Sequence, residues 1–153
     1  MYIPQSIEKG IKMTQFQTII TGHGHFATGM KGAVELLAGV QTSFKYIDFA
    51  EGMSDEELGH QLQAALTSSP TLIFTDLVGG TPYKEAAKLS LSRQDLAVVA
   101  GCNLASLLET IFSNYDSLSE YADTLVNVTK QSAQVLDLSL GESEEDPEDG
   151  EGI

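Results

Sequence analysis

Residues 21–32 read TGHGHFATGMKG. Two histidines, His23 and His25, stand one residue apart among glycines, directly after the apolar run FQTII at 16–20. An imidazole nitrogen attacks an electrophile only when it is unprotonated. An ordinary imidazole, with a reference pKa of about 6.5, is roughly three quarters neutral at pH 7. A carboxylate that accepts the hydrogen bond from one ring nitrogen fixes the tautomer and turns the other nitrogen outward. A ring that stands bare among glycines and is steered by an acid suits nucleophilic chemistry on a small anion such as a phosphoryl group.

The best acid lies far along the chain. The run TLIFTDL at 71–77 reads as a buried strand, with Asp76 at its end, and Gly79, Gly80, Thr81 and Pro82 follow. Thr81 is the expected N-cap of a helix and Pro82 its first residue. A helix start supplies free N–H groups and a partial positive charge where a phosphoryl group can rest. Gly22, Gly24, Gly79 and Gly80 let backbone approach that anion.

His23 and Asp76 meet only if the elements between them put the two loops side by side. Strand-like and helix-like periods alternate. Strands are expected at 16–20, 43–49, 71–77 and 95–101. Helices are expected after the glycine loop that follows the first strand, after the Ser54–Glu57 capping-box pair, from Thr81 and after Asn103, with a further helix over roughly 116–132. The first helix should turn Met30, Val34, Leu37 and Ala38 to the core. The fourth should turn Leu104, Leu107, Leu108, Ile111 and Phe112. VLDLSL at 135–140 has apolar residues at every second position and is expected as a short edge strand. The alternation gives an α/β fold, a doubly wound and mainly parallel sheet with helices on both faces. In the order 2-1-3-4, strands 1 and 3 are neighbours at the switch point where ligands bind beyond the carboxyl ends. That order brings His23 to Asp76.

The totals narrow the function. The chain has 153 residues, 42% of them apolar, enough for one domain with its own core. No apolar run approaches the ~20 residues of a membrane span, and residues 1–13 read as an N-terminal arm or leader without signal-peptide character. The net charge is −14. Residues 142–153 hold seven acids and no base, which reads as a disordered acidic tail and leaves 15 acids against 8 bases in residues 1–141. An acidic surface argues against nucleic acid and anionic membrane. The single cysteine, Cys102, permits no internal disulfide and suits a reducing cytosol. No nucleotide-binding motif and no metal-ligand spacing is present, so neither cofactor nor metal is expected. His25 reads as a wall of the site or an exposed residue. His60 reads as surface, and Asp48 as the end of strand 2.

Four segments in order, IITGHGHFATGM, YIDFAEG, LIFTDLVGGTPYKEAA and VVAGCNLASLLETI, are similar to the enzyme IIA component of the mannose-family sugar phosphotransferase system. The resemblance covers roughly residues 15–134, which places a IIA-like carrier domain at 14–141. It implies that His23 takes a phosphoryl group from the phosphocarrier protein HPr and passes it to a histidine of enzyme IIB. Asp76 would be the supporting carboxylate, and Gly24, Gly79, Gly80 and Thr81 would surround the phosphoryl group. It further implies a cytoplasmic homodimer, peripheral to a membrane transporter, with VLDLSL exchanged between subunits. Some members carry Thr where this chain has Gly22, an aromatic residue at His25 and Pro at Ala105; none of these changes removes the nucleophile or its acid. The GHGHFATG stretch leans towards the branch that handles amino sugars. A phosphoryl-donor subunit of a dihydroxyacetone kinase, or a non-catalytic anion- or metal-binding module, are the alternatives.

Overall fold

The computed structural model describes residues 16–101 and 103–139. The N-terminal arm, Cys102 and the acidic tail lie outside the described residues. In chain order the elements are β1 (Gln17–His23), α1 (Phe26–Ala38), β2 (Phe44–Phe49), α2 (Asp55–Ala65), β3 (Thr71–Thr75), α3 (Thr81–Ser92), β4 (Leu96–Ala100), α4 (Leu104–Ile111) and α5 (Leu118–Ser132). The four strands form one parallel sheet in the order β2-β1-β3-β4, as the sequence leads one to expect.

Both sheet faces are covered, and strand alternation divides the core into two layers. Ile20, Leu72, Phe74 and Val99 point to one face, where Val34 of α1, Leu107 of α4 and Leu125 of α5 meet them. Ile19, Ile73 and Leu96 point to the other, against Leu58 and Leu62 of α2 and Ala86 of α3. The central strands β1 and β3 are therefore buried along their length, except for the last residue of β1, His23.

Local sequence sets the helix starts. Ser54 and Glu57 close the expected capping box, with Ser54 Oγ accepting from the Glu57 amide and Glu57 Oε2 from the Ser54 amide, each at 3.1 Å. Asn103 caps α4 through Oδ1, which accepts from the Ser106 amide at 3.0 Å. Ser117 caps α5 in the same way, accepting from the Glu120 amide at 3.1 Å.

Three expectations need correction. The first concerns 135–140. Residues 135–139 form no strand in this chain, and residue 140 lies outside the described residues. The Asp137 carboxylate accepts from both the amide and the hydroxyl of Ser139, a local turn that competes with extension. Val135, Leu136 and Leu138 are exposed. Second, α3 begins one residue early: Gly80 is the N-cap and makes no side-chain cap bond, with Thr81 already inside the helix. The Lys84 amide closes the first turn onto the Gly80 carbonyl at 2.9 Å, so the Thr81 hydroxyl is not needed as a cap. Third, Leu37 and Phe112 do not join the core. Both are more than half exposed; Phe112 follows the last turn of α4 as its C-cap and so leaves the helical stripe.

Candidate functional site

The strand order places the carboxyl end of β1 between those of β2 and β3. His23 is the last residue of β1, and Asp76 follows the last residue of β3. The two side chains meet. His23 Nδ1 lies 2.7 Å from Asp76 Oδ2, and the His23 amide donates to the same oxygen at 2.9 Å. The Leu77 amide donates to Asp76 Oδ1 at 2.9 Å. Burial pushes the Asp76 carboxyl up, but the hydrogen bonds from the His23 amide and ring and from Leu77 outweigh it and hold the group below the ordinary aspartate value. Asp76 is thus ionised at neutral pH and can only accept. It follows that Nδ1 carries the proton, and the lone pair of the neutral ring sits on Nε2.

Nε2 faces the start of α3. A β-carbon built on Gly80 would lie 2.6 Å from His23 Cε1 and 3.3 Å from Nε2. Gly80 has an ordinary backbone conformation, so glycine is required there for room. Gly24 is the opposite case: its Cβ would meet nothing, but its φ of 60° is the left-handed turn that ends β1 beyond His23. Gly79 shares that conformation, with φ 82°, and turns the chain between Asp76 and α3. The His23 side chain is 45% exposed and that of Asp76 11%. The imidazole is open while its acid is sheltered. Thr81 stands in the first turn of α3 beside Gly80, half-buried.

Sequence reasoning missed the contribution of β2. In register, Asp48 lies opposite Gly22 and Phe49 opposite His23. The Phe49 ring meets the His23 imidazole edge-on with centroids 5.8 Å apart, and its carbonyl accepts from the Gly24 amide at 2.9 Å. Asp48 reaches the first turn of α1. The Thr28 amide donates to Oδ1 at 3.0 Å and the Thr28 hydroxyl to Oδ2 at 2.7 Å. Burial raises the Asp48 pKa, and the Thr28 and His25 contacts more than offset this, leaving it lowered. His25 Nδ1 is 3.4 Å from Asp48 Oδ2, with its side chain 93% exposed. The adjacency of β2 to β1 was the available signal, since it brings strand 2's end to the same crest.

Gly22 also has a packing reason. A β-carbon there would fall 2.5 Å from Phe26 Cδ1. Phe26 fills that space and stacks on Phe74 with centroids 6.2 Å apart, so a side chain at 22 and a phenyl ring at 26 exclude one another. His60 is exposed, as expected. Among the described residues, no group of three or more His, Cys, Asp and Glu side chains converges as a metal site would require.

Comparison with known proteins gives this geometry a context. Residues 17–128 match the family model described as the fructose IIA component of the phosphotransferase system. The sorbose-specific EIIA component of Lacticaseibacillus casei is 34% identical over 119 residues, 75% of this chain and 86% of that protein. The fructose-specific EIIA component of Bacillus subtilis is 30% identical over 122 residues, 76% of this chain and 84% of that one. A solved structure of an EIIA phosphotransferase component from Streptococcus agalactiae superposes with a TM-score of 0.74 at 30% identity, covering 82% of this chain and 98% of that one. The sheet that brings His23 to Asp76 is therefore the family's sheet, and the chain belongs to the mannose-type IIA components of the sugar phosphotransferase system.

Proposed function

We propose that this chain is a phosphoryl carrier that works through His23. The observation that carries the reading is the 2.7 Å contact between His23 Nδ1 and Asp76, which leaves Nε2 as the free nucleophile beside Gly80. In the forward step the Nε2 lone pair attacks phosphorus on the phosphohistidine of HPr. A P–N bond forms as the donor's P–N bond breaks, and the Nδ1 proton stays with the ring, held by Asp76. The first turn of α3, with Gly79, Gly80 and Thr81, and the turn at Gly24 surround the oxygens, as helix-start amides commonly do for phosphate. The second step returns the group to a histidine of enzyme IIB by the same geometry in reverse, coupled to sugar uptake and phosphorylation. No metal or organic cofactor takes part in this scheme.

The carrier acts in the cytoplasm, docking on a membrane transporter through IIB. Among the described residues no helix is long and apolar enough to cross a membrane. It works as a homodimer, and the exposed Val135, Leu136 and Leu138 are the surface a second copy would cover. Incubation with phosphoenolpyruvate, enzyme I and HPr should add one acid-labile, base-stable phosphoryl group per chain, and purified IIB should discharge it. His23→Ala should take up none. Label retained in that variant would overturn the assignment, and discharge to a dihydroxyacetone kinase in place of IIB would reassign the acceptor.

A further inference from the structure

We infer that Asp48 is a positioning residue of the phosphoryl-transfer centre, acting through Thr28 on the loop that carries His23. The inference rests on the carrier reading above but adds a residue that the reading does not use. The N-cap of α1 is His25, and its side chain makes no cap bond. The amide that an N-cap side chain would normally satisfy belongs to the third helical residue, here Thr28. Asp48 supplies that bond from the end of β2, and takes the Thr28 hydroxyl with its other oxygen. The cap is therefore tertiary: it ties the start of α1 to the neighbouring strand.

This matters because of what lies between the two tied points. His23 is followed by Gly24 in a left-handed conformation, a joint with no side chain to pack. On the β3 side Asp76 holds His23 by ring and amide. On the β2 side the Phe49 carbonyl holds the Gly24 amide, and Asp48 holds Thr28 four residues further on. The loop is thus gripped from both flanking strands. Without the Asp48 bonds to Thr28, Gly24 would let residues 25–28 drift, and the seat of the imidazole would loosen. A misplacement of about 1 Å can slow a transfer step by as much as a hundredfold.

The test uses the full chain carrying Asp48→Ala, Asp48→Asn, Thr28→Val and, as a control for stability alone, Leu62→Ala. Leu62 is buried on the sheet face opposite α1. The kcat and KM for transfer from phospho-HPr are measured beside thermal midpoints. Asp48→Ala should lose about tenfold or more in kcat with KM held within about twofold. Asp48→Asn, which keeps a carbonyl oxygen for the Thr28 amide, should recover part of it, and Thr28→Val should fall between. Leu62→Ala should lower the midpoint at least as far while transferring at the normal rate. A normal kcat in Asp48→Ala, or an equal loss in Leu62→Ala, overturns the inference. The rate at which diethylpyrocarbonate modifies each histidine, read by peptide mass spectrometry, needs no partner protein. Asp48→Ala should change the rate of His23 modification at least twofold while exposed His60 reacts as before. An unlabelled wild-type chain would defeat the carrier reading alone, whereas unchanged His23 modification in Asp48→Ala would defeat the role of Asp48.

Discussion

His23 Nδ1 lies 2.7 Å from Asp76 Oδ2, and His25 Nδ1 lies 3.4 Å from Asp48 Oδ2. Both acids stand at the ends of strands flanking β1, and both are held below the ordinary aspartate range. The difference is in where their oxygens are spent. Oδ2 of Asp76 takes both the ring and the amide of His23. Asp48 gives one oxygen to the Thr28 amide and the other to its hydroxyl, and His25 stays outside at almost full exposure. One acid seats an imidazole; the other caps a helix. Nearness of a histidine to an aspartate therefore does not make the two pairs alike. Only His23 combines a short bond to a sheltered acid with an open second nitrogen, the arrangement that the carrier reading requires.

The harshest way to break the first pair, short of removing His23, is Asp76→Asn. The carboxamide can present its NH2 group to Nδ1, which favours the tautomer whose lone pair is on Nδ1 and so blocks Nε2. Phosphorylation by phospho-HPr should slow by something on the order of 10⁴, as a misoriented histidine tautomer does elsewhere, while the circular dichroism spectrum stays native. Acid stability should change in a defined direction. A carboxylate with a lowered folded pKa stabilises the fold above its unfolded value of about 3.8, and that contribution disappears as pH falls through the lower folded value. Thermal melts in this acid window should therefore depend less on pH in Asp76→Asn. A variant that keeps the normal transfer rate would show that Asp76 does not set the tautomer.

Gly80→Ala attacks the same pair from the other side, leaving both side chains in place. The new methyl would stand 2.6 Å from His23 Cε1 and 3.2 Å from Leu77 Cδ1. The ring must move, or the start of α3 must. Overpacking of this kind costs about 1–3 kcal/mol of stability, and transfer should slow by about tenfold to a hundredfold. The check is the initial rate of label uptake, with the ring's own proton and nitrogen resonances reporting whether the Asp76 contact survives. A full rate with an undisturbed ring would show that the closeness of Gly80 to Nε2 has no bearing on the reaction.

How far these pairs could be seen in the sequence depends on which forces place them. Local signals are strong at Ser54 and Asn103, where the capping residue and its partner are three apart, and both caps are found as expected. Strand periodicity with an assumed 2-1-3-4 order is enough to bring His23 to Asp76 across 53 positions, because the switch point of such a sheet is a geometric consequence of the order. Thr81 misled because Ser and Thr are the usual N-caps, whereas here the space taken by the His23 ring puts a glycine at that place. Asp48 was hidden for a related reason: the cap of α1 comes from another strand, twenty residues away from Thr28, and no local pattern announces it. VLDLSL shows the limit of period-two reading, since alternation specifies a strand only when something pairs with it, and within this chain the 137–139 turn competes.

The mildest perturbation of the comparison is His25→Ala. If the second pair were a weaker copy of the first, losing this imidazole would cost a good part of the transfer rate. The geometry says otherwise. The ring is 93% exposed and its contact to Asp48 is longer than a normal hydrogen bond, so water screens the attraction and little orientation is gained from it. The Thr28 bonds that fix the helix start do not pass through the ring. Transfer to His23 should therefore stay within about twofold of normal, measured by the same uptake assay. The sharper outcome is the ratio between His25→Ala and Asp48→Ala. Equal losses would mean that Asp48 works through the imidazole and that the helix cap is incidental. A large loss in Asp48→Ala beside a small one in His25→Ala would place the work of the second acid on Thr28, with His25 as a bystander two residues from His23.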